Sequence, residues 1–257
     1  MDFTICIVSG NREKSKNFNT PKMLDNLGIK DYLIFLFDET AKKEYVKNHN
    51  LDEDKIILTN KKELVNKRNF IEKQFFNDGE KLLCLDDDLT YIKYKNSLGE
   101  IVKMTNKDEF IDNFNSAFNL LIKENCRLFG CYPVGGNDKW FSEAKTQIGN
   151  NHIIVALSGI IVDKTLEKQD PKYTPKEEYQ RAFIYGKNIR LGNITFKTKG
   201  WYKNDGLGIR TYETQLETCK EIMKNYPNRY SKTPLKFNKK KTNCDLRLNK
   251  TYYNSIC

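Results

Sequence analysis

Three consecutive carboxylates, Asp86, Asp87 and Asp88, interrupt an otherwise apolar stretch, with Leu82-Leu83-Cys84-Leu85 before them and Leu89-Thr90-Tyr91-Ile92 after. Like charges packed beside a core repel one another and are costly unless something positive compensates. A Mg²⁺ or Mn²⁺ ion favours carboxylate oxygens and also carries phosphate oxygens, so the triplet reads as a metal–diphosphate site. The competing reading is a solvated turn or a helix N-terminus, where acidic triplets commonly occur. Position separates the two. The run Leu82 to Leu85 is short, follows Gly79 and suits a buried strand of a parallel sheet. Open α/β sheets place their ligand crevice at the carboxyl ends of such strands.

Other segments carry candidate chemistry at matching places. The first apolar run, Phe3 to Val8, leads into Ser9-Gly10-Asn11-Arg12, a small-residue loop with a cation that suits a nucleotide cradle. A second run, Tyr32 to Phe37, ends in Asp38-Glu39. Arg68 and Asn69 sit on the amphipathic segment from Lys61 to Asn77, just ahead of the acidic strand, where an arginine can reach phosphate or base. Further on, Thr174-Pro175-Lys176-Glu177 has the spacing of a capping box, which explains Glu177 structurally and leaves Glu178 as the better catalytic carboxylate. Trp140 stands in a polar segment and could stack on a base or sugar. The loop Lys199 to Gly208 combines Trp201, Asp205 and Gly206 with flexible glycines, and could close as a lid or be a long surface turn.

The elements needed to position these residues are legible in order. Strand, helix, strand, helix, strand, helix and strand alternate up to Asp86, the pattern of an α/β half with a parallel sheet. Tyr91–Lys95 and Glu100–Lys103 alternate polar and apolar residues around a turn, which predicts a hairpin. Residues 108–125 form a strong amphipathic pattern with Phe110, Phe114, Phe118, Leu121 and Ile122 in register, and this stripe reads as core. Strands are predicted at 127–134, 152–162 and 194–196, and helices from Thr174 to Tyr185, stopped by Gly186, and from Tyr212 to Asn225. Gly159 inside a strand permits the close approach of a neighbouring chain or a ligand. Residues 236–257, opening with Lys236-Phe237-Asn238-Lys239-Lys240-Lys241, read as a basic tail.

Composition bounds the partners. With 257 residues the chain can bury a sizeable core, and 12% aromatic residues argue against global disorder. A formal net charge of +10 points to an anionic partner, either a nucleotide or a nucleic acid. Seven dispersed cysteines without a CxxC pair, and only His49 and His152, disfavour zinc and fit free thiols in a reducing compartment. No segment reaches membrane-span length, so the expectation is an intracellular, soluble protein.

Taken together, Ser9-Gly10-Asn11-Arg12, Asp38-Glu39, Lys67-Arg68-Asn69, Leu85-Asp86-Asp87-Asp88 as a DxD motif, and the late Glu177-Glu178 with Gly186 resemble the metal-dependent GT-A glycosyltransferases over roughly residues 3–225. The arrangement is most similar to the glycosyltransferases associated with TET/JBP oxygenases, carried by the Ser-Gly-Asn-Arg segment, Asp38-Glu39-Thr40 with Tyr45, Arg68-Asn69, Asp-Asp-Asp-Leu and the late Gly-rich loop with Arg210. The resemblance implies a GT-A-type, Rossmann-like α/β sandwich with a mostly parallel central sheet flanked by helices. Residues 1–95 would form the nucleotide-sugar half and 96–235 the acceptor half of that domain.

It further implies transfer of a sugar, glucose first, from a UDP-sugar to a hydroxymethylated pyrimidine in double-stranded DNA, in the cytoplasm (of a host, if the gene is viral or from a phage). Asp86 and Asp88 would hold Mn²⁺ or Mg²⁺, and Asp87 the ribose. Ser9, Gly10, Asn11, Arg12, Asp38, Arg68 and Asn69 would contact the nucleotide. Glu178, then Glu177 or Asp205, would deprotonate the acceptor, which implies inversion at the anomeric carbon. Trp140, Trp201, Gly206 and Arg210 would meet the acceptor, with no membrane and no obligate protein partner required. One departure is the missing late metal-binding histidine of many GT-A enzymes, which leaves the third protein ligand open. Alternatives keep the chemistry with a glycan, lipid or protein acceptor, or turn to a nucleotidyltransferase, for which the N-terminal loop is a poor fit. A non-catalytic nucleic-acid-binding module leaves the acidic residues without a purpose.

Overall fold

The computed structural model describes residues 1–10, 12–132, 137–199, 211–237 and 244–249. Asn11, Trp201, Asp205, Gly206 and Arg210 therefore lie outside the described residues. The N-terminal half runs β1 (Thr4–Val8), α1 (Thr20–Asn26), β2 (Leu33–Leu36), α2 (Glu39–His49), β3 (Ile56–Leu58), α3 (Leu64–Phe70) with a π-helical turn at Ile71–Phe75, and β4 (Lys81–Asp86). Then follow β5 (Leu89–Lys95), β6 (Ile101–Lys103), α4 (Lys107–Lys123), β7 (Leu128–Tyr132), α5 (Asp138–Ser142), β8 (Gln147–Gly149) and β9 (Leu157–Ile161). A 3₁₀ turn at Pro171–Lys176 precedes α6 (Glu177–Tyr185), and β10 (Asn188–Thr198), α7 (Tyr212–Asn225), β11 (Tyr230–Phe237) and β12 (Cys244–Leu248) complete the described chain.

Ten strands form one sheet in the order β3-β2-β1-β4-β9-β7-β10-β5-β6, with β8 also on β10. The architecture is α/β with helices flanking the sheet, but the sheet is mixed, which corrects the expectation of a mostly parallel one. β3, β2, β1 and β4 are parallel, whereas β9 runs antiparallel to both β4 and β7, and β5 runs antiparallel to β10 and β6. All five residues of β9 are buried. A strand covered on both faces shows the same apolar run whichever way it points, so its direction is not written in its composition.

Alternation along β1 feeds two cores. Ile5 and Ile7 pack with Leu24 of α1, Tyr45 of α2 and the phenylalanines of α4, while Cys6 and Val8 pack with Ile71 and Tyr185 on the opposite face. Phe110, Phe114, Phe118 and Leu121 are fully buried, as their spacing requires. Ile122 is 57% exposed, because one further residue turns it about 100° away from the stripe. Gly159 is required by packing: a Cβ there would lie 2.2 Å from the ring of Phe129 on β7.

A third, smaller core joins Tyr179 and Phe183 of α6, Cys219 and Ile222 of α7, and Cys244 and Leu246 of β12. Part of the stretch expected to be a basic tail thus closes the β11–β12 pair over the back of α6, with the Lys176 ammonium 2.7 Å from Asp245. Among the described residues, no helix is long and apolar enough to cross a membrane.

Candidate active site

The chain passes from β1 to β2 and β3 on one side, then returns with β4 on the other, so the sheet's order reverses between β1 and β4. This is where open α/β sheets bind ligands. Val8 pairs with Asp86 in register, so the Ser9 loop and the acidic turn emerge side by side. The start of α1 grips that turn by its backbone. Asn19 and Thr20 donate their amides to the Asp87 carbonyl at 2.9 and 3.1 Å, and the Thr20 hydroxyl donates to the Asp86 carbonyl at 2.6 Å.

The three carboxylates meet different partners. Asp87, 7% exposed, accepts from the Ser9 hydroxyl and faces Arg12 Nε at 3.5 Å. Burial pushes its carboxyl up to about 7, with Ser9 and Arg12 pulling the other way. Asp88 faces the same guanidinium at 3.7 Å. Arg12 is held in place by its own backbone: its amide donates to the Tyr45 hydroxyl at 3.0 Å and its carbonyl lies 3.1 Å from His49 Nε2. Tyr45 also lies 2.7 Å from the Ser9 hydroxyl, and burial pushes its phenol up so that it stays neutral. Asp86 is the most accessible of the three, and Arg68 reaches it at 3.0 Å.

Arg68 also donates to Glu177 of α6 at 2.5 Å, so one guanidinium ties Asp86 to a carboxylate 91 positions later in the chain. Burial works against its charge, but the facing carboxylates of Glu177 and Asp86 outweigh that and hold it protonated. Below it, Arg181 lies 2.6 Å from Glu72, which accepts from the Tyr185 hydroxyl at 2.6 Å. The expected capping box at Thr174 does not form. The Thr174 hydroxyl donates to the Pro171 carbonyl within the 3₁₀ turn, Lys176 takes the N-cap position, and Glu177 turns inward to its ion pair.

Two hollows border this web. The larger, about 900 Å³, opens beyond the ends of β1 and β2 and is lined by Ser9, Gly10, Asp38, Tyr45, Lys62 and Lys67 among others. The smaller, about 190 Å³, is lined by Asp86, Glu177, Glu178, Leu64 and the stretch Ile154-Val155-Ala156. Glu178 stands at its rim with 12% side-chain exposure, and His152 Nε2 approaches it at 3.7 Å while stacking on Tyr179 at 4.3 Å.

Several sequence candidates prove to have structural duties. Asp38 caps α2 by accepting from the Ala41 amide at 2.8 Å, although it also lines the larger cleft. Both ends of the Asn69 amide are taken by the Gln169 backbone, at 2.8 and 2.9 Å, which ties α3 to the segment ahead of α6. Trp140 is 64% exposed on α5.

His152, and Lys67 of the Lys67-Arg68-Asn69 motif, are given no site role by the sequence. Lys67 is 2% exposed and donates to the Ser9 carbonyl, and a Cβ on Gly10 would come within 2.9 Å of its ammonium. Burial lowers the pKa of Lys67 from 10.5, with Asp87, Glu13 and Asp38 opposing. A base with a lower pKa folded than unfolded binds fewer protons when folded, so stability rises as pH climbs through that lowered value toward 10.5. Lys67→Met is expected to flatten this rise, read as Tm against pH beside the parent protein.

Among the described residues, no three His, Cys, Asp or Glu side chains gather as a metal-ion site. A cage built from protein alone is therefore not the fit. Mg²⁺ and Mn²⁺ are commonly held by one or two carboxylates, with substrate phosphates and water completing the shell; Asp86 and Asp88 are donors of that type, and in this structure each faces its own arginine, Arg68 and Arg12. No protein-family model matches the sequence, and no curated protein matches it.

Proposed function

We propose that this chain is a metal-dependent glycosyltransferase of the GT-A type, moving a hexose, glucose first, from UDP to the hydroxyl of a hydroxymethylated pyrimidine in duplex DNA. One observation carries the reading: Asp86 at the end of β4 and Glu177 and Glu178 at the start of α6 line one small hollow, while the roomier cleft opens beyond β1 and β2, where Ser9 in its lining donates to Asp87 of the same acidic turn. A purely structural acidic turn has no need of such a cleft, nor of a second carboxylate pair across a hollow.

The roles follow from charge and position. The cleft beyond β1 and β2 takes the nucleoside, with Asp87 and Ser9 at the ribose and the Lys67 ammonium toward the phosphates. Asp86 and Asp88 would hold Mn²⁺ or Mg²⁺, which would neutralise negative charge gathering on the departing diphosphate. Arg12, now beside Asp87 and Asp88, adds positive charge on the same side. Glu178 accepts the proton of the acceptor hydroxyl as its oxygen bonds the anomeric carbon. The bond from that carbon to the β-phosphate oxygen breaks, and its electron pair leaves with UDP.

Asp88→Ala is expected to reduce sugar transfer on the order of 10²–10³-fold or more while the Tm stays close to the parent's. UDP release with and without hydroxymethylated duplex DNA measures it, and undiminished release in excess EDTA would refute the metal assignment.

A further inference from the structure

Downstream of the acidic turn, β5, β6 and β10 carry one face that the proposed chemistry leaves unused. From Tyr91 onward β5 alternates strictly. Ile92 is buried beside its partner Phe196, and Tyr94 opposes Ile194, which is also buried. The opposite face presents Tyr91, Lys93 and Lys95, with Lys103 directly across from Lys93 and Lys197 directly across from Tyr91. The ammoniums of Lys93, Lys103 and Lys197 stand 5.6, 5.8 and 5.8 Å from the centre of the Tyr91 ring.

Like charges directly opposite one another destabilise a sheet, and a single aromatic ring offsets little of that repulsion. One carboxylate, Asp138, answers Lys93 at 2.7 Å, and Lys95 donates to the Ala144 carbonyl at 2.6 Å. Among the described residues, no carboxylate pairs with Lys103 or Lys197. The face starts at the rim of the candidate site, since β5 leaves directly from Asp88 and the Lys199 amide donates to the Asp88 carbonyl at 3.0 Å. Asp138 belongs to α5, the short helix that also carries the exposed Trp140.

We infer that this face, Tyr91 with Lys93, Lys103 and Lys197, docks the phosphate backbone of double-stranded DNA and delivers the acceptor base to the site. The choice of DNA rests on the function proposed above. The preference for a duplex comes from the face itself. Single strands are held by successive aromatic platforms, whereas here one ring is ringed by ammoniums, a pattern that contacts phosphates and ignores sequence.

The test is binding of a fluorescent duplex by the full chain across a salt series, with neither donor nor metal present. A failure of the sugar-transfer reading therefore leaves this result standing. Lys103→Gln with Lys197→Gln should weaken duplex binding at least tenfold at low salt. It should also lower the slope of log affinity against log salt by about 2, one for each phosphate no longer neutralised. The same charge removed elsewhere, by Lys47→Gln with Lys123→Gln, should change affinity less than threefold. Equal weakening by both pairs would reduce the effect to net charge and overturn the proposal. Preference for single-stranded DNA or duplex RNA over duplex DNA would overturn it as well.

Discussion

Arg68→Met is expected to destabilise the fold by about 3–5 kcal/mol, the cost of removing one partner from a buried ion pair and stranding the other. For a chain of this size that corresponds to a Tm lower by on the order of 10 °C. Arg68 is 3% exposed and Glu177 is 2% exposed, so water cannot take over the solvation of Glu177 once the guanidinium is gone. Methionine fills most of the arginine's volume, which makes the loss one of charge compensation rather than of packing. Adding Glu177→Gln to Arg68→Met should therefore recover more than half of the lost stability in denaturant titrations. A single-variant loss below about 1 kcal/mol would show that solvent or relaxation compensates Glu177, and the bridge between α3, β4 and α6 would cease to be a structural element.

Glu178→Gln should lower turnover by about 10²–10⁴-fold while leaving the Tm and the affinity for the nucleotide sugar near those of the parent. The two neighbouring glutamates divide the work by their surroundings. Glu177 is buried and paired to Arg68, so an acceptor hydroxyl would have to displace the guanidinium to reach it. Glu178 borders the hollow shared with Asp86, where an acceptor hydroxyl has room to enter, and His152 beside it gives a taken-up proton a neighbouring polar group. Glutamine keeps the shape and removes the basicity. Comparing transfer rate with donor binding separates a chemical role from a structural one, and near-normal turnover would move the base away from α6.

The elements that hold the site were largely readable. β1, β2 and β4 announce themselves as apolar runs, and α7 begins and ends at Tyr212 and Asn225 as its pattern requires. The acidic triplet falls at the end of β4, as the abrupt change from Leu85 to Asp86 indicates. Local signals misled where a distant partner took over. The spacing from Thr174 to Glu177 fits a capping box, but a neutral hydroxyl and a backbone amide compete weakly against a guanidinium arriving from α3. The same holds for Asn69, whose amide is claimed by a backbone 100 residues away. The β11–β12 pair escaped notice because charged and hydroxyl residues interrupt its apolar ones and its buried contacts, such as those of Leu246, are made with helices rather than along the strand.

By itself the sequence determined the strands and helices that lead to the acidic turn, the burial of the aromatic stripe on α4, and the placing of three carboxylates at a strand's end. Those properties depend on the periodicity of neighbouring residues. Only the tertiary structure decided the direction of β9, the joining of Asp86 to Glu177 through Arg68, and the arrival of Lys197 on β10 beside Tyr91 of the hairpin. Each of these is a pairing between residues far apart in the chain, and the pattern within either segment is the same whether or not its partner is there.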